Sequence, residues 1–170
     1  MAEFDYMQKA MTEYDKLNHS ELRVGVLDKS GSFLQMIAIV NNNGCHIHAK
    51  NYPKLRIPVK LPNGRTGYVF KESVVIPARR FMEKTIMDNE QRWISYMENG
   101  AMRIASEPNV TADDIMNNLG RSIVQQMRQE MTDWKTPSNA PLTIQNKGRD
   151  DPLIDKGKLR ASISYQIIEK

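Results

Sequence analysis

Cysteine and histidine come together once in this chain, in the run Cys45-His46-Ile47-His48. Thiolate and imidazole are zinc ligands, and a cysteine beside a histidine is the usual start of thiol catalysis. In a strand, His46 and His48 would point to one side and Cys45 to the other. A zinc site needs four ligands, yet the remaining histidine is His19 and there is no second cysteine. A nucleophilic Cys45 would need a base, an orienting group and oxyanion donors, and the sequence offers no candidates for them. No GxSxG elbow, phosphate loop or paired dinucleotide glycines occur. Asp113-Asp114 and Asp150-Asp151 read as a helix start and a turn. The expectation is a protein without catalytic residues, metal or cofactor.

The remaining chemistry is cationic. Lys54, Arg56, Lys60, Arg65 and Lys71 interleave with Tyr52, Tyr68 and Phe70, a pattern that could track a phosphate backbone and stack bases. Arg79-Arg80 opens a predicted helix, where positive charge opposes the macrodipole. Two explanations stand: pairing with Glu83 or the C-terminal acids, or bidentate contact with a carboxylate on a partner. Lys156, Lys158 and Arg160 form either a solvated turn or a docking rim. Against nucleic-acid binding, 20 acidic residues nearly balance 24 Lys and Arg, and no helix is dense in basic residues.

These residues need elements to hold them. The 170 residues suit a single domain, and 40% apolar content suffices for a core. No run reaches the roughly 18 apolar residues of a membrane span. Acids at the N-terminus argue against a secretory signal, and one cysteine fits a reducing cytosol. The eleven methionines read as adaptable core filling.

Phe4, Met7, Met11 and Tyr14 predict a helix over 3–17 with a narrow apolar stripe. Leu22, Val24 and Val26 alternate as a strand, and DKSGS is a turn. SFLQMIAIVNNNG predicts a helix, with Ser32 as N-cap and Gly44 at its stop. Residues 45–71 predict a hairpin turning at Asn63-Gly64 in a type I′ turn. Its prolines 53, 58 and 62 place it at a sheet edge or projecting from the body. Pro77 suits the first turn of a long helix, with Met82, Ile86, Trp93 and Met97 as its stripe. Thr111 caps the next helix, whose Ile115, Leu119, Ile123, Met127 and Met131 recur every four residues. Gly120 within it implies a close helix crossing. Residues 135–153 read as a polar loop. Asp155 would cap a short turn, 157–160, before a final strand with Ile163, Tyr165 and Ile167 on one face. The fold class is α+β: a small, mostly antiparallel sheet packed on two long helices, with a projecting hairpin.

Two stretches together resemble the neck and tail-completion (virion-morphogenesis) proteins of tailed bacteriophages. VVIPARRFMEKTI is similar to that family's I-P-x-R-P-F-(M/L) segment. APLTIQNKGRDDPLIDKGKLRASISYQI is similar to its ending, P-L-x-x-T, then a Lys, then P-L-I-D-T-G-x-L-x-x-S-I-x-Y, through Pro141, Leu142, Lys147, Pro152, Leu153, Ile154, Asp155, Gly157, Leu159, Ser162, Ile163 and Tyr165. Lys156 replaces the usual Thr, Arg80 the usual Pro, and Asn42-Asn43-Gly44 a Glu-Phe-Gly helix end. The resemblance implies a structural virion protein, made in the host cytoplasm, that forms a ring of six copies. It implies a portal-side connector or head-closure protein on one side and a tail tube or terminator on the other. DNA would pass through the lumen without sequence-specific contact, and no membrane is involved. The expected partner-facing elements are the hairpin, the 135–153 loop, the N-terminal helix and the last thirty residues. The expected contacts are Arg56, Lys60, Arg65, Arg79, Arg80, Ile154, Asp155, Lys158, Leu159 and Arg160.

Overall fold

The computed structural model describes residues 2–170, with side chains from Asp5 onward. In chain order the elements are α1 (Ala2–Asn18), β1 (Ser20–Val26), α2 (Ser32–Asn43), β2 (Cys45–His48), β3 (Leu55–Lys60), β4 (Thr66–Lys71) and β5 (Ser73–Ile76). The long helices α3 (Phe81–Ser106) and α4 (Ala112–Asp133) follow, then α5 (Pro141–Lys147), α6 (Lys158–Ser162) and β6 (Ile163–Glu169). The class is α+β, as expected. The strands form three separate two-stranded antiparallel ribbons, β1–β6, β2–β5 and β3–β4, instead of the one small sheet expected. No helix among the described residues is long and apolar enough to cross a membrane.

Helix α4 is the spine. The Thr111 hydroxyl accepts from the Asp114 backbone N–H at 3.1 Å, satisfying one of the free donors at the helix start. Its four-residue series is buried throughout: Ile115, Leu119, Ile123, Met127 and Met131. Each such side chain contributes about 1.5–3 kcal/mol of burial. A repeat of four drifts around a 3.6-residue helix, so α4 serves two clusters. One gathers Val124, Met127 and Met131 with Ala38, Phe81, Leu153, Leu159 and Ile163. The other gathers Ala112, Ile115 and Met116 with Leu17 and Ile104.

Glycines set the closest approaches to α4. A Cβ on Gly100 of α3 would stand 2.9 Å from Ile115 Cγ2, so α3 meets α4 there. The close partner of Gly120 is not a helix. It is the ring of Tyr165, whose Cδ2 would lie 2.5 Å from an added Cβ. The Tyr165 hydroxyl then donates to Asn117 Oδ1 at 2.8 Å. Strand β6 is laid on α4 by this contact, and pairs with β1 in the register Leu22–Ile167, Val24–Tyr165 and Val26–Ile163. Arg128 adds hydrogen bonds to the carbonyls of Arg160, Ala161 and Ile163, joining α4 to the α6–β6 junction.

Helix α1 lies against α3 and α4 with a face other than the predicted one. Leu17 is buried and Ala10 packs beside it, whereas Met7, Met11 and Tyr14 are exposed. The side chain of Phe4 lies outside the described residues. Polar contacts accompany this rotation. Glu13 accepts from the Ala112 N–H at 2.8 Å, and Lys16 reaches Asp113 at 2.7 Å. The Glu13 carboxylate thus sits at the positive end of α4.

Four other expectations are corrected. Helix α3 begins at Phe81, beyond Pro77, because its N-terminal cap comes from a distant segment: Asn42 Oδ1 accepts from the Met82 N–H at 3.2 Å. Gly31, not Ser32, precedes α2. Asp155 makes no cap; Gly157, with φ of 75°, occupies that position of α6. The 135–153 stretch is not a bare loop. It holds α5, with Pro141 in its first turn and Gly148 closing it in the left-handed region, and buries Asn139 and Leu153.

Candidate assembly surface

Residues 45–76 form a two-stage arm. Ribbon β2–β5 makes its base, with Cys45 opposite Ile76, and ribbon β3–β4 makes its tip. The tip turns as a three-residue loop, not the expected type I′ turn. The Gly64 N–H donates to the Leu61 carbonyl at 3.0 Å, the Leu61 N–H donates to Arg65 at 2.9 Å, and of the loop residues only Gly64 has positive φ. This is the type I turn followed by a left-handed glycine that such loops use.

The chain clamps the arm at its root. Gly44 enters with φ of 75°, and a Cβ there would meet the Ala78 nitrogen at 2.8 Å, so the two ends of the arm touch backbone to backbone. The Asn41 carbonyl accepts from the Arg79 N–H at 2.8 Å. Arg79 is only 4% exposed. Its guanidinium donates to the carbonyls of Pro137 and Ser138 and to Asn41 Oδ1. Burial pulls its pKa down from the usual value, with Asp150 opposing the shift. Pairing with Glu83 or the C-terminal acids does not account for Arg79, which forms no ion pair among the described residues; carbonyls and Asn41 of its own chain hold the guanidinium. Higher up, α5 holds β3. Asn146 Oδ1 accepts from the Lys60 N–H, while Asn146 Nδ2 and Gln145 Nε2 donate to the carbonyls of Pro58 and Lys60. A segment fastened at root and middle presents its outer face with little ordering left to do on binding.

That outer face is chemically distinctive. Alternation sends Leu55, Ile57, Val59 and Val69 inward, and Arg56, Lys60, Tyr68 and Phe70 outward. Tyr68 and Phe70 are 46% and 59% exposed, and the Arg56 guanidinium stacks 3.6 Å above the Tyr68 ring. Beside them Tyr52, Pro53, Leu55 and Phe70 line an open hollow of about 790 Å³. Residues 45–76 hold six Lys and Arg against the single acid Glu72, a net charge of +5 within a chain of +4. The rest of the molecule therefore carries −1. None of these six cations forms an ion pair among the described residues.

Apolar side chains also lie uncovered on the body. Phe33, Met36 and Ile39 share one face of α2, and Ile86, Met87, Ile94 and Met102 stand out from α3. Ile86, expected in the buried stripe of α3, is 46% exposed; Phe81, Thr85, Gly100 and Ile104 are buried instead. Among the described residues five methionines (7, 11, 36, 87 and 102) are exposed, against the expectation of core filling. Apolar side chains uncovered on one face, as Phe33, Met36 and Ile39 are, make a candidate surface for contact with other molecules.

The predicted contact residues divide into two groups. Arg56, Lys60 and Arg65 are exposed on the arm, and Arg80, Asp155 and Lys158 are exposed elsewhere. Ile154 is half-buried. Arg160 is exposed, but its Nε donates internally to Thr132 Oγ1 and the Arg128 carbonyl. Arg79 and Leu159 are interior, the latter packed with Leu153 and Ile163. The terminal block thus builds the body of its own chain. Sequence reading missed Asn42, Arg128 and α5. Only Pro141 and Gly148 gave a local signal, as a helix start and stop.

Cys45 is half-buried and free, and the His46 and His48 rings lie side by side with centroids 4.0 Å apart. No group of three His, Cys, Asp or Glu among the described residues could hold a metal ion. No family model, no curated protein and no solved structure matches the chain.

Proposed function

We propose that this chain is a structural subunit of the head-to-tail junction of a tailed bacteriophage. It would act as a ring-forming protein that completes the neck or upper tail and lets DNA pass. The reading begins from the terminal block. Its matched residues Leu153, Leu159, Ile163 and Tyr165 are the ones that join α6 and β6 to α4, so the resemblance concerns residues that define the fold. Fold-level likeness alone does not assign a role. The observation that carries the proposal is the clamped, outward-facing arm with its uncancelled +5 charge, beside apolar helix faces left uncovered. A subunit built to meet copies of itself and neighbouring rings needs such surfaces. An enzyme would not require them.

In this role the chain contacts itself, a portal-side connector or head-closure protein, and a tail tube or terminator protein. A tail-terminator or head-closure position is the nearest alternative. Averaged images of particles containing this chain should place it in a ring below the portal, and particles lacking it should show filled heads separated from tails. Its absence from mature particles would overturn the reading. A second reading rests on the same arm: exposed Tyr68 and Phe70 among Arg56 and Lys60 could bind nucleic acid. That reading requires tight binding to DNA that weakens steeply with salt.

A further inference from the structure

The outer face of the arm tip has a counterpart on the same chain. On α3, Glu83, Ile86, Met87, Glu90, Ile94 and Glu98 recur at three- and four-residue steps, so they share one side of the helix. At the start of α3 that side is opposite the buried Phe81 and Thr85; towards the end of the helix the buried side drifts round to Gly100 and Ile104, beyond the stripe. Met87 is 81% exposed, and Ile86 and Ile94 are 46% and 44% exposed. Glu90 and Glu98 form no ion pair among the described residues, and Lys84, a cation beside the stripe, is already held by Asp88. The stripe alternates acid with apolar side chains, as the arm tip alternates cation with aromatic.

We propose that the arm tip of one copy docks along α3 of a second copy. Arg56 and Lys60 then face Glu90 and Glu98, and Tyr68 and Phe70 cover Met87 and Ile94. The inference rests on the ring-subunit reading and names the contact that reading needs. Dimensions agree: Arg56 to Lys60 spans about 13 Å of strand, and Glu90 to Glu98 spans about 12 Å of helix. Opposite potentials set the register and reject other pairings. The pairing is heterologous, because the arm of each copy meets the helix of the next, and a heterologous contact closes into a ring when its rotation repeats. DNA would neutralise the arm, but it would leave the apolar side chains of α3 uncovered and its acids facing phosphate. One contact between copies covers both surfaces.

The test uses the whole chain and reverses charge. Arm variant Arg56→Glu/Lys60→Glu and helix variant Glu90→Lys/Glu98→Lys alter only exposed residues. Sedimentation velocity over a concentration and salt series should show self-association of the unaltered chain. Each variant should weaken it about tenfold or more, and a chain carrying all four changes should recover it. A second measurement does not depend on tight assembly. In a Cys45→Ser background, chains with Tyr68→Cys are mixed with chains bearing Met87→Cys. Mild oxidation should give the mixed disulfide in excess over either like pair. If the unaltered chain assembles and charge reversal leaves assembly intact, this contact is wrong while the ring reading stands. If the mixed disulfide fails to form at the highest concentration, the contact does not exist. If the arm variant loses DNA binding and keeps self-association, the arm serves nucleic acid.

Discussion

Replacing Gly120 by alanine should destabilise the protein, although the same change in an ordinary helix interior stabilises it. Alanine is the better helix former by about 1 kcal/mol. Here the new methyl would lie 2.5 Å from Tyr165 Cδ2, 2.7 Å from Cγ and 2.9 Å from Cε2. These atoms belong to a ring between α4 and β6, so the ring must move. Overpacking of this kind costs about 1–3 kcal/mol. Movement also breaks the 2.8 Å hydrogen bond from Tyr165 to Asn117, for about 1 kcal/mol more. After the propensity gain is subtracted, a net loss of about 1–3 kcal/mol remains, a melting-temperature drop on the order of 3–10 °C for a domain of this size. The decisive comparison is in a Tyr165→Ala background. With the ring gone, Gly120→Ala should become neutral or stabilising by up to about 1 kcal/mol, since only propensity remains. Urea unfolding of the four proteins in this cycle measures the coupling. Equal destabilisation in both backgrounds would show that Tyr165 is not what requires glycine, and the placement of β6 on α4 would be wrong.

Other expectations follow from the arm root and the strand ends. Asn42→Ala removes the distant cap of α3 and should cost about 0.5–2 kcal/mol, with faster hydrogen exchange confined to the first turn after Phe81 and the arm root. Gly44→Ala should cost about 1–3 kcal/mol in backbone strain alone and loosen the arm, read as increased proteolysis within 45–76. Arg79→Met leaves the Pro137 and Ser138 carbonyls without their donor and should destabilise by about 2–4 kcal/mol; Arg80→Met, at an exposed position, should be nearly neutral. Glu21, held by hydrogen bonds from Arg23 and then Lys170, has its pKa lowered to about 2. Because the folded value is depressed, the contribution is present above the unfolded value and is lost as pH falls through about 2. Carboxyl NMR should show that midpoint, and Arg23→Ala should raise it.

Local patterns announced much of this fold. Thr111 and the series Ile115–Met131 declared α4, since a cap and a repeat are properties of neighbouring residues. The alternation Ile163, Tyr165, Ile167 declared β6 for the same reason. The turn glycine Gly64 was legible as a glycine but not as a turn type, because Pro62 and the pairing of Leu61 with Arg65 selected a three-residue loop. The start of α3 is not legible locally, because its cap comes from Asn42, 40 residues away. Helix α1 is legible as a helix, but its buried face is not. The stripe of Met7 and Met11 stays outside, while Leu17 and Ala10 pack inward and Glu13 and Lys16 meet partners on α4.

The sequence alone determined the α+β class, the two long helices, the cationic arm and the terminal strand, because each is written in periodicity, turn residues or charge within a short window. Tertiary structure decided which surfaces stay open. It drew Arg79 and Leu159 inside, rooted the arm between Gly44 and Ala78, and left the acidic, apolar side of α3 facing outward. Exposure is a property of what packs against a residue, and those neighbours come from segments that are distant in the chain.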